Sequence, residues 1–318
     1  MMTRDQISFT PRAWTELGLL ALIWGATFLA VRLALDEVPV LTNVLHRTFW
    51  AALALWLWVA VKRLHVPRDL GTWGAFLVMG LLNNIIPFGL FAWGQLTIES
   101  GLTAILNGAT ALFGVLVAAL VFPDERLSAR KLAGVALGLG GVALAIGPEA
   151  LRGFDPRSLA QLAVLTGTLS YALAGAWARR TLGGLRPEVA AAGMLTGASL
   201  LLLPATLLID GMPQFDLQPR TWGAIGYASI LGTAAAYLLY YRVLAMVGAG
   251  NLLIVTLIIP PIAIVLGALV LGETLQPTSF AGFGLLALGL LVINGRRPRL
   301  WSRATRPRRA TDALNAPE

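Results

Sequence analysis

The chain has no cysteine and only two histidines among its 318 residues. Without cysteine neither a disulfide framework nor a thiolate metal site can form, and two histidines do not make a multi-histidine cluster. No metal and no cofactor are expected. Charge is also scarce: 13% of the residues are charged and 57% are hydrophobic, whereas a soluble domain carries about 25% charged residues. That balance excludes an ordinary water-soluble fold. There is no P-loop, no paired-carboxylate motif and no serine with a matched base, the features an enzyme of this size would show. A net charge of +8 invites a nucleic-acid reading, but seven of the 24 basic residues (Arg296, Arg297, Arg299, Arg303, Arg306, Arg308 and Arg309) crowd one tail. A basic tail beside anionic lipid explains them, and no nucleic-acid partner is expected.

What is present is long apolar runs. A bilayer core of about 30 Å needs roughly 20 apolar residues in helical form, because backbone hydrogen bonds must close within the segment. Spanning helices are expected at about 15–35, 43–61, 72–95, 101–122, 131–147, 158–178, 188–208, 221–244, 250–271 and 279–294, cut at charges, glycines and prolines. The first run is long for a signal-peptide core and no small-residue cleavage site follows it, so it reads as a retained helix. The fold class is thus an all-α integral membrane protein of ten transmembrane helices.

Basic residues in short loops set orientation. With the N-terminus inside, Arg4, Arg12, Lys62, Arg63, Arg68, Arg126, Arg130, Lys131, Arg179, Arg180, Arg186, Arg242 and the seven tail arginines are cytoplasmic. Arg152, Arg157 and Arg220, with Arg32 and Arg47 near outer helix ends, face the other way: nineteen against five. Both termini are expected in the cytoplasm, in a cytoplasmic (inner) membrane.

The chain also repeats itself. A shift of 148 residues superposes Glu125 on Glu273, Leu127 on Leu275, Ala133 on Ala281, Gly134 on Gly282, Leu137 on Leu285 and Gly141 on Gly289. Five spans per copy make the second copy enter the membrane from the opposite side, giving two five-helix inverted-topology repeats. The expected units are residues 1–149, residues 150–295 and a basic cytoplasmic tail at 296–318.

These stretches resemble the ten-helix branch of the drug/metabolite transporter superfamily, with two EamA-type domains. The resemblance rests on "WGATF" in the first helix, "HRTFWAALAL" in the second, "ESGLTAILNGATALFGVLVAALVFPDERLSARKLAGVALGLGGVALA" across the fourth and fifth, "LSYALAGAWARR" in the sixth, and "GTAAAYLLYYRVLAMVGAGNLLIVTLIIPPIAIVLGALVLGETL" across the eighth and ninth. It implies a transporter that exports or exchanges metabolites, with an aromatic or other neutral amino-acid exporter as a plausible relative. Here "PDERL" stands where the family often carries a glycine before the first glutamate.

None of the 16 acidic residues falls near a helix midpoint, so a buried carboxylate relay is not expected. His46 is the one titratable group within the spans placed to sense pH, and it serves equally well as a structural histidine bonded to a carbonyl. Arg47, on a different helix face, either attracts anions at a cavity mouth or snorkels or pairs; Arg32 can pair with Asp36 four residues on, or its stem can reach the headgroups. Uncharged polar residues at mid-depth are the stronger signal. Gly80, Asn84, Pro87, Phe91 and Gln95 share one face of the third helix, with Asn83 beside it. Thr103, Asn107, Thr110 and Gly114 repeat the spacing in the fourth.

The candidate substrate-binding set is Trp24, Thr27, His46, Asn83, Asn84, Pro87, Phe91, Asn107, Thr110, Ser170, Thr233, Tyr237, Tyr240, Pro260 and Pro261. Each hydroxyl or amide has a bland alternative in helix-to-helix or own-backbone bonding. Pro87, Pro260 and Pro261 are expected to kink their helices and free carbonyls. Gly134, Gly138 and Gly141, with Gly282, Gly284 and Gly289, read as close packing that braces or dimerises the protein. The partners expected are a small-molecule substrate and the bilayer, with monomer and homodimer both open. The function expected is metabolite transport by alternating access, with a membrane-embedded enzyme or a channel as rivals.

Overall fold

The computed structural model describes residues 10–125, 127–147, 156–252 and 255–294, all of whose regular structure is helical. The expectations for Arg4, Arg126, Arg152 and the tail at 296–318 fall outside the described residues. Among the described residues eight helical runs are long and apolar enough to cross a membrane: α1 (Pro11–Ala34), α2 (Val40–Val61), α3 (Leu70–Gly94), α4 (Ser100–Val121), α5 (Ala129–Ile146), α6 (Pro156–Thr181), α7 (Pro187–Ile209) and α8 (Pro219–Gly248). Two shorter apolar helices, α9 (Val255–Leu271) and α10 (Pro277–Asn294), complete the bundle.

Local chemistry sets where the helices begin. Thr10, Asp69 and Ser128 accept a hydrogen bond from the backbone N–H three residues on, capping α1, α3 and α5. Proline opens α1, α7 and α8, where its missing N–H costs nothing. Gly248, at φ 73°, closes α8 in a conformation that only glycine adopts without strain.

Helices alternate in direction, as bonds between their ends require. Where α1 begins, Arg242 at the end of α8 donates to Glu16, and Arg179 of α6 donates to Asp124 beyond α4. At the opposite end the Asp210 carboxylate accepts from the Thr42 N–H and hydroxyl, both at 2.8 Å, and Glu37 accepts from Thr221. There too Glu273 accepts from the Ser100 N–H and hydroxyl at the start of α4, and Arg157 pairs with Glu99 at 2.9 Å.

The main side-by-side neighbours are α5 with α10, α2 with α7, α1 with α9, α4 with α6, α3 with α7, α2 with α8, α1 with α8, and α3 with α6. The closest of these is α5 against α10. A Cβ built on Gly141 would stand 2.4 Å from the Leu286 nitrogen, and one on Gly282 2.4 Å from the Ala145 nitrogen. Gly289 and Gly138 meet in the same way at 2.5 Å. The glycines therefore let two backbones touch, and the expected packing role falls here. Gly284 faces open space instead.

Three helices depart from ideal α geometry. In α3 the segment Leu81–Ile85 is π-helical, with the Ile86 N–H bonded to the Leu81 carbonyl. Pro87 follows at once, and it cannot donate to the carbonyl four residues back. In α8 the segment Tyr227–Ala235 is π-helical without any proline. In α4 the helix breaks at Gly108, between Ser100–Asn107 and Ala109–Val121. By contrast α9 stays helical through Pro260 and Pro261.

Candidate substrate site

The amides of the α3 π segment meet α8 just beyond its own π segment. The Tyr237 hydroxyl accepts from Asn83 Nδ2 at 3.0 Å and from Asn84 Nδ2 at 3.4 Å. Asn84 is fully buried, and its Oδ1 has no hydrogen-bond partner among the described residues. Extra turns of π geometry recur at functional sites because they redirect side chains that an α-helix would aim elsewhere. Here they bring two amides and a phenol to one point inside an apolar bundle.

Arg47 of α2 reaches the same place. Its Nε donates to Thr233 Oγ1 at 2.9 Å, and its guanidinium carbon lies 3.6 Å from the centre of the Phe88 ring. The Thr233 hydroxyl is itself oriented, because it donates to the Ala228 carbonyl at 2.8 Å. Tyr171 of α6 and Tyr237 lie within electrostatic reach of the guanidinium. Arg47 therefore does not snorkel to a helix end; its head group lies between α3, α6 and α8.

Ser170, next to Tyr171, supports the site from behind. Its Oγ donates at 2.7 Å to the Leu82 carbonyl inside the π segment of α3. The carbonyl expected to be freed near Pro87 is thus satisfied by a neighbouring helix. Beside the polar centre lies an aromatic wall. Phe91 contacts Phe28 at 6.5 Å and the edge of Tyr171 at 5.8 Å between ring centroids, and Pro87 packs against Gly167 of α6. Trp24 and Tyr240 pair at 5.7 Å on the α1 and α8 side.

The remaining expected residues lie apart. Thr27 bonds its own Ile23 carbonyl at 2.7 Å and packs on Gly232, holding α1 against α8. Asn107 and Thr110 bond each other at 3.3 Å across the break in α4. His46 is buried in an aromatic box of Trp50, Phe215 and Trp222; its Nδ1 accepts from Trp50 at 3.2 Å, and Nε2 has no partner among the described residues. Pro260 is buried, but Pro261, about 100° around the helix, is exposed on its outer face. Phe88 and Tyr171 are at the centre and escaped the sequence reading.

Two surface clefts, of about 500 Å³ beside Asp69, Thr72 and Trp177 and about 350 Å³ beside Leu33, Arg220 and Tyr227, do not reach this centre. Their walls are nearly all apolar or belong to helix ends, so the converging polar groups identify the candidate site better than the size of a cleft does.

The sequence profile of the EamA-like transporter family matches residues 17–147 and again residues 158–295. The chain belongs to the EamA-like transporter family. It is similar to the uncharacterised transporter YoaV of Bacillus subtilis strain 168, at 22% identity over 85% of this chain and 92% of that one. It is similar also to the "Probable terminal-alkyne amino-acid exporter" of Streptantibioticus cattleyicolor, 27% identical over 90% and 94% of the two chains. The "Probable amino-acid metabolite efflux pump" of Escherichia coli strain K12 is 25% identical over 86% and 92%. A crystal structure 17% identical in sequence superposes with a TM-score of 0.63 over 89% of this chain and 97% of its own, a likeness of fold. This family member is a multi-pass membrane transporter of small metabolites and not an enzyme, which removes the main rival function.

Proposed function

We propose that this transporter exports or exchanges amino acids, those with aromatic or other neutral side chains first, at the polar centre between α2, α3, α6 and α8. The observation that carries the reading is that centre. Arg47, Asn83, Asn84, Tyr171, Thr233 and Tyr237 gather inside a bundle otherwise filled with apolar side chains. Polar groups at such depth cost free energy unless satisfied or used. The neighbouring wall of Phe28, Phe91, Trp24 and Tyr240 suits an apolar side chain by stacking. The printed names of two relatives point to amino acids as well.

The mechanism we favour is alternating access between two five-helix repeats of inverted topology, residues 1–149 and 150–295, in ten spans. The 148-residue offset supports it, and so does the family profile matching twice. The helix neighbours also map onto themselves when every helix is exchanged for the one five places away. Then α1 with α9 becomes α6 with α4, α3 with α7 becomes α8 with α2, and the pairs α2 with α7 and α5 with α10 remain. The π segment 227–235, moved back by 148, overlays 81–85. The polar links at the two ends of the bundle would break in turn as each side opens.

The excess of basic residues puts the start of α1 in the cytoplasm beneath an inner membrane, with the tail at 296–318 on the same side. With no carboxylate at mid-depth, facilitated exchange or weak proton dependence follows. Counterflow in proteoliposomes loaded with mixed amino acids tests the reading. Trans-substrate should accelerate uptake, as it does for a carrier and not for a pore. Folded protein that shows no acceleration with any proteinogenic amino acid would overturn it.

A further inference from the structure

We infer that Arg47 is the anchor for a single carboxylate on the transported molecule. The inference rests on the polar centre being the substrate site and adds which residue reads which group.

Guanidinium has five N–H donors and no acceptor. In Arg47 the Nε donor is taken by Thr233, whose own proton is committed to the Ala228 carbonyl. The four N–H bonds on the two terminal nitrogens meet no acceptor among the described residues, and no carboxylate there pairs with Arg47. The free donors form the end-on edge of the fork, whose spacing matches the two oxygens of a carboxylate.

Fixing Nε also fixes where that edge points. With Phe88 covering one face of the guanidinium at 3.6 Å, the side chain has little freedom left, so a ligand would find the edge already oriented. Phe88, Tyr171, Thr233 and Tyr237 surround it on three helices, and Arg47 is half-buried among them.

A cation in a low-dielectric interior is costly without a counter-charge, and the contact with an aromatic face offsets only part of that. The missing anion is then supplied by the substrate. Its charge is one: every other charged residue that the structure pairs or places lies toward a helix end, so a doubly charged phosphate would leave a net negative charge in the bundle. The neighbouring groups extend the match. The unpartnered Asn84 Oδ1 can accept from an ammonium group, and Tyr171 makes no hydrogen bond to the described residues. Turning the Asn84 amide over would let its oxygen take the Tyr237 proton, which leaves the terminal nitrogens of Arg47 as they are.

The test is competition for counterflow, in proteoliposomes, with four compounds sharing one side chain: L-phenylalanine, 3-phenylpropionate, L-phenylalaninamide and phenylethylamine. In the wild-type protein the two carboxylates should compete and the amide and amine should not. Arg47→Gln should weaken the carboxylates by roughly 10- to 100-fold while leaving the other two unchanged, the size of a lost charge-assisted bond. Arg47→Lys should restore part of the loss. If Arg47→Gln does not fold, Thr233→Val keeps the charge and removes only the acceptor that orients it, and should weaken the same two compounds selectively.

Competition by 3-phenylpropionate without L-phenylalanine would sink the amino-acid reading and leave the carboxylate anchor standing. Amine or amide competing as well as the acids, no carboxylate competing, or equal discrimination in Arg47→Gln and wild type would each overturn the anchor.

Discussion

The seam between α5 and α10 and the polar centre both join early and late parts of the chain, by opposite means. At the seam glycines let the two backbones touch, and the side chains left around them, such as Ala145 and Ile293, are apolar, so no polar group is left there to bind a solute. At the centre long side chains from α2, α3, α6 and α8 cross the gap and leave donors and an acceptor unfilled. The contrast teaches where to look in a bundle of this kind. Close backbone approach marks what holds the helices together, and unspent hydrogen-bonding capacity marks what they hold.

Substitutions can break this contrast, and the seam should give the largest effect. Gly141→Leu and Gly282→Leu place a side chain where a neighbouring backbone nitrogen already stands, and overpacking of this sort costs about 1–3 kcal/mol or more. Both should lower the melting temperature in detergent sharply, with transport per folded molecule little changed. Gly284→Leu, which meets nothing within 4 Å, should leave the melting temperature where it is. Equal melting temperatures for all three would deny the seam its role.

Ser170→Ala should come next. It strands the Leu82 carbonyl in the π segment of α3, and a buried group left without its partner costs about 1–3 kcal/mol. Both thermal stability and transport should fall, because the brace also positions Asn83 and Asn84. A drop in stability with unchanged apparent affinity would separate brace from site.

Tyr237→Phe removes one hydroxyl at the centre and keeps the ring. A neutral hydrogen bond is worth about 0.5–1.5 kcal/mol, so apparent affinity should weaken by roughly 2- to 10-fold, and the melting temperature should fall modestly because the buried Asn84 amide loses its acceptor. Unaltered affinity in a variant that transports would place the substrate elsewhere.

Acid should have the smallest effect. The Arg179 guanidinium holds the Asp124 carboxyl below its ordinary range, and bonds from Thr72 do the same for Asp69. A depressed carboxyl contributes stability above its unfolded value and loses it as pH falls through the folded one, so both links should weaken only below about pH 4. Both groups are exposed, and stability measured between pH 7 and 5 should be flat with respect to them.

Much of this was legible in the sequence. Asn84, Thr233 and Tyr237 stood out because polar side chains are expensive in apolar runs, and the glycines of α5 and α10 because their spacing recurs. Arg47 was harder. It lies close enough to a helix end that snorkelling or pairing was the favoured reading, and only the positions of Phe88 and Thr233 decide against snorkelling. The π segment of α8 has no proline to announce it, unlike that of α3, so the side-chain directions of Thr233 and Tyr237 could not be read from helical spacing. Tyr171 was overlooked because its role depends on which helix faces Arg47, a tertiary fact. His46 drew attention as a rare titratable residue, but its surroundings are the aromatic rings of Trp50, Phe215 and Trp222.

The polar centre can be tested most directly through the absence of native cysteine. Asn83→Cys and Pro261→Cys each introduce one thiol, the first at the centre and the second on the exposed face of α9. The rate of modification by a small membrane-permeant thiol reagent would be followed in proteoliposomes with and without L-phenylalanine. Concentration-dependent protection at Asn83→Cys and none at Pro261→Cys is the expected result. If Asn83→Cys transports L-phenylalanine and is modified at the same rate in its presence, the substrate does not sit at this centre.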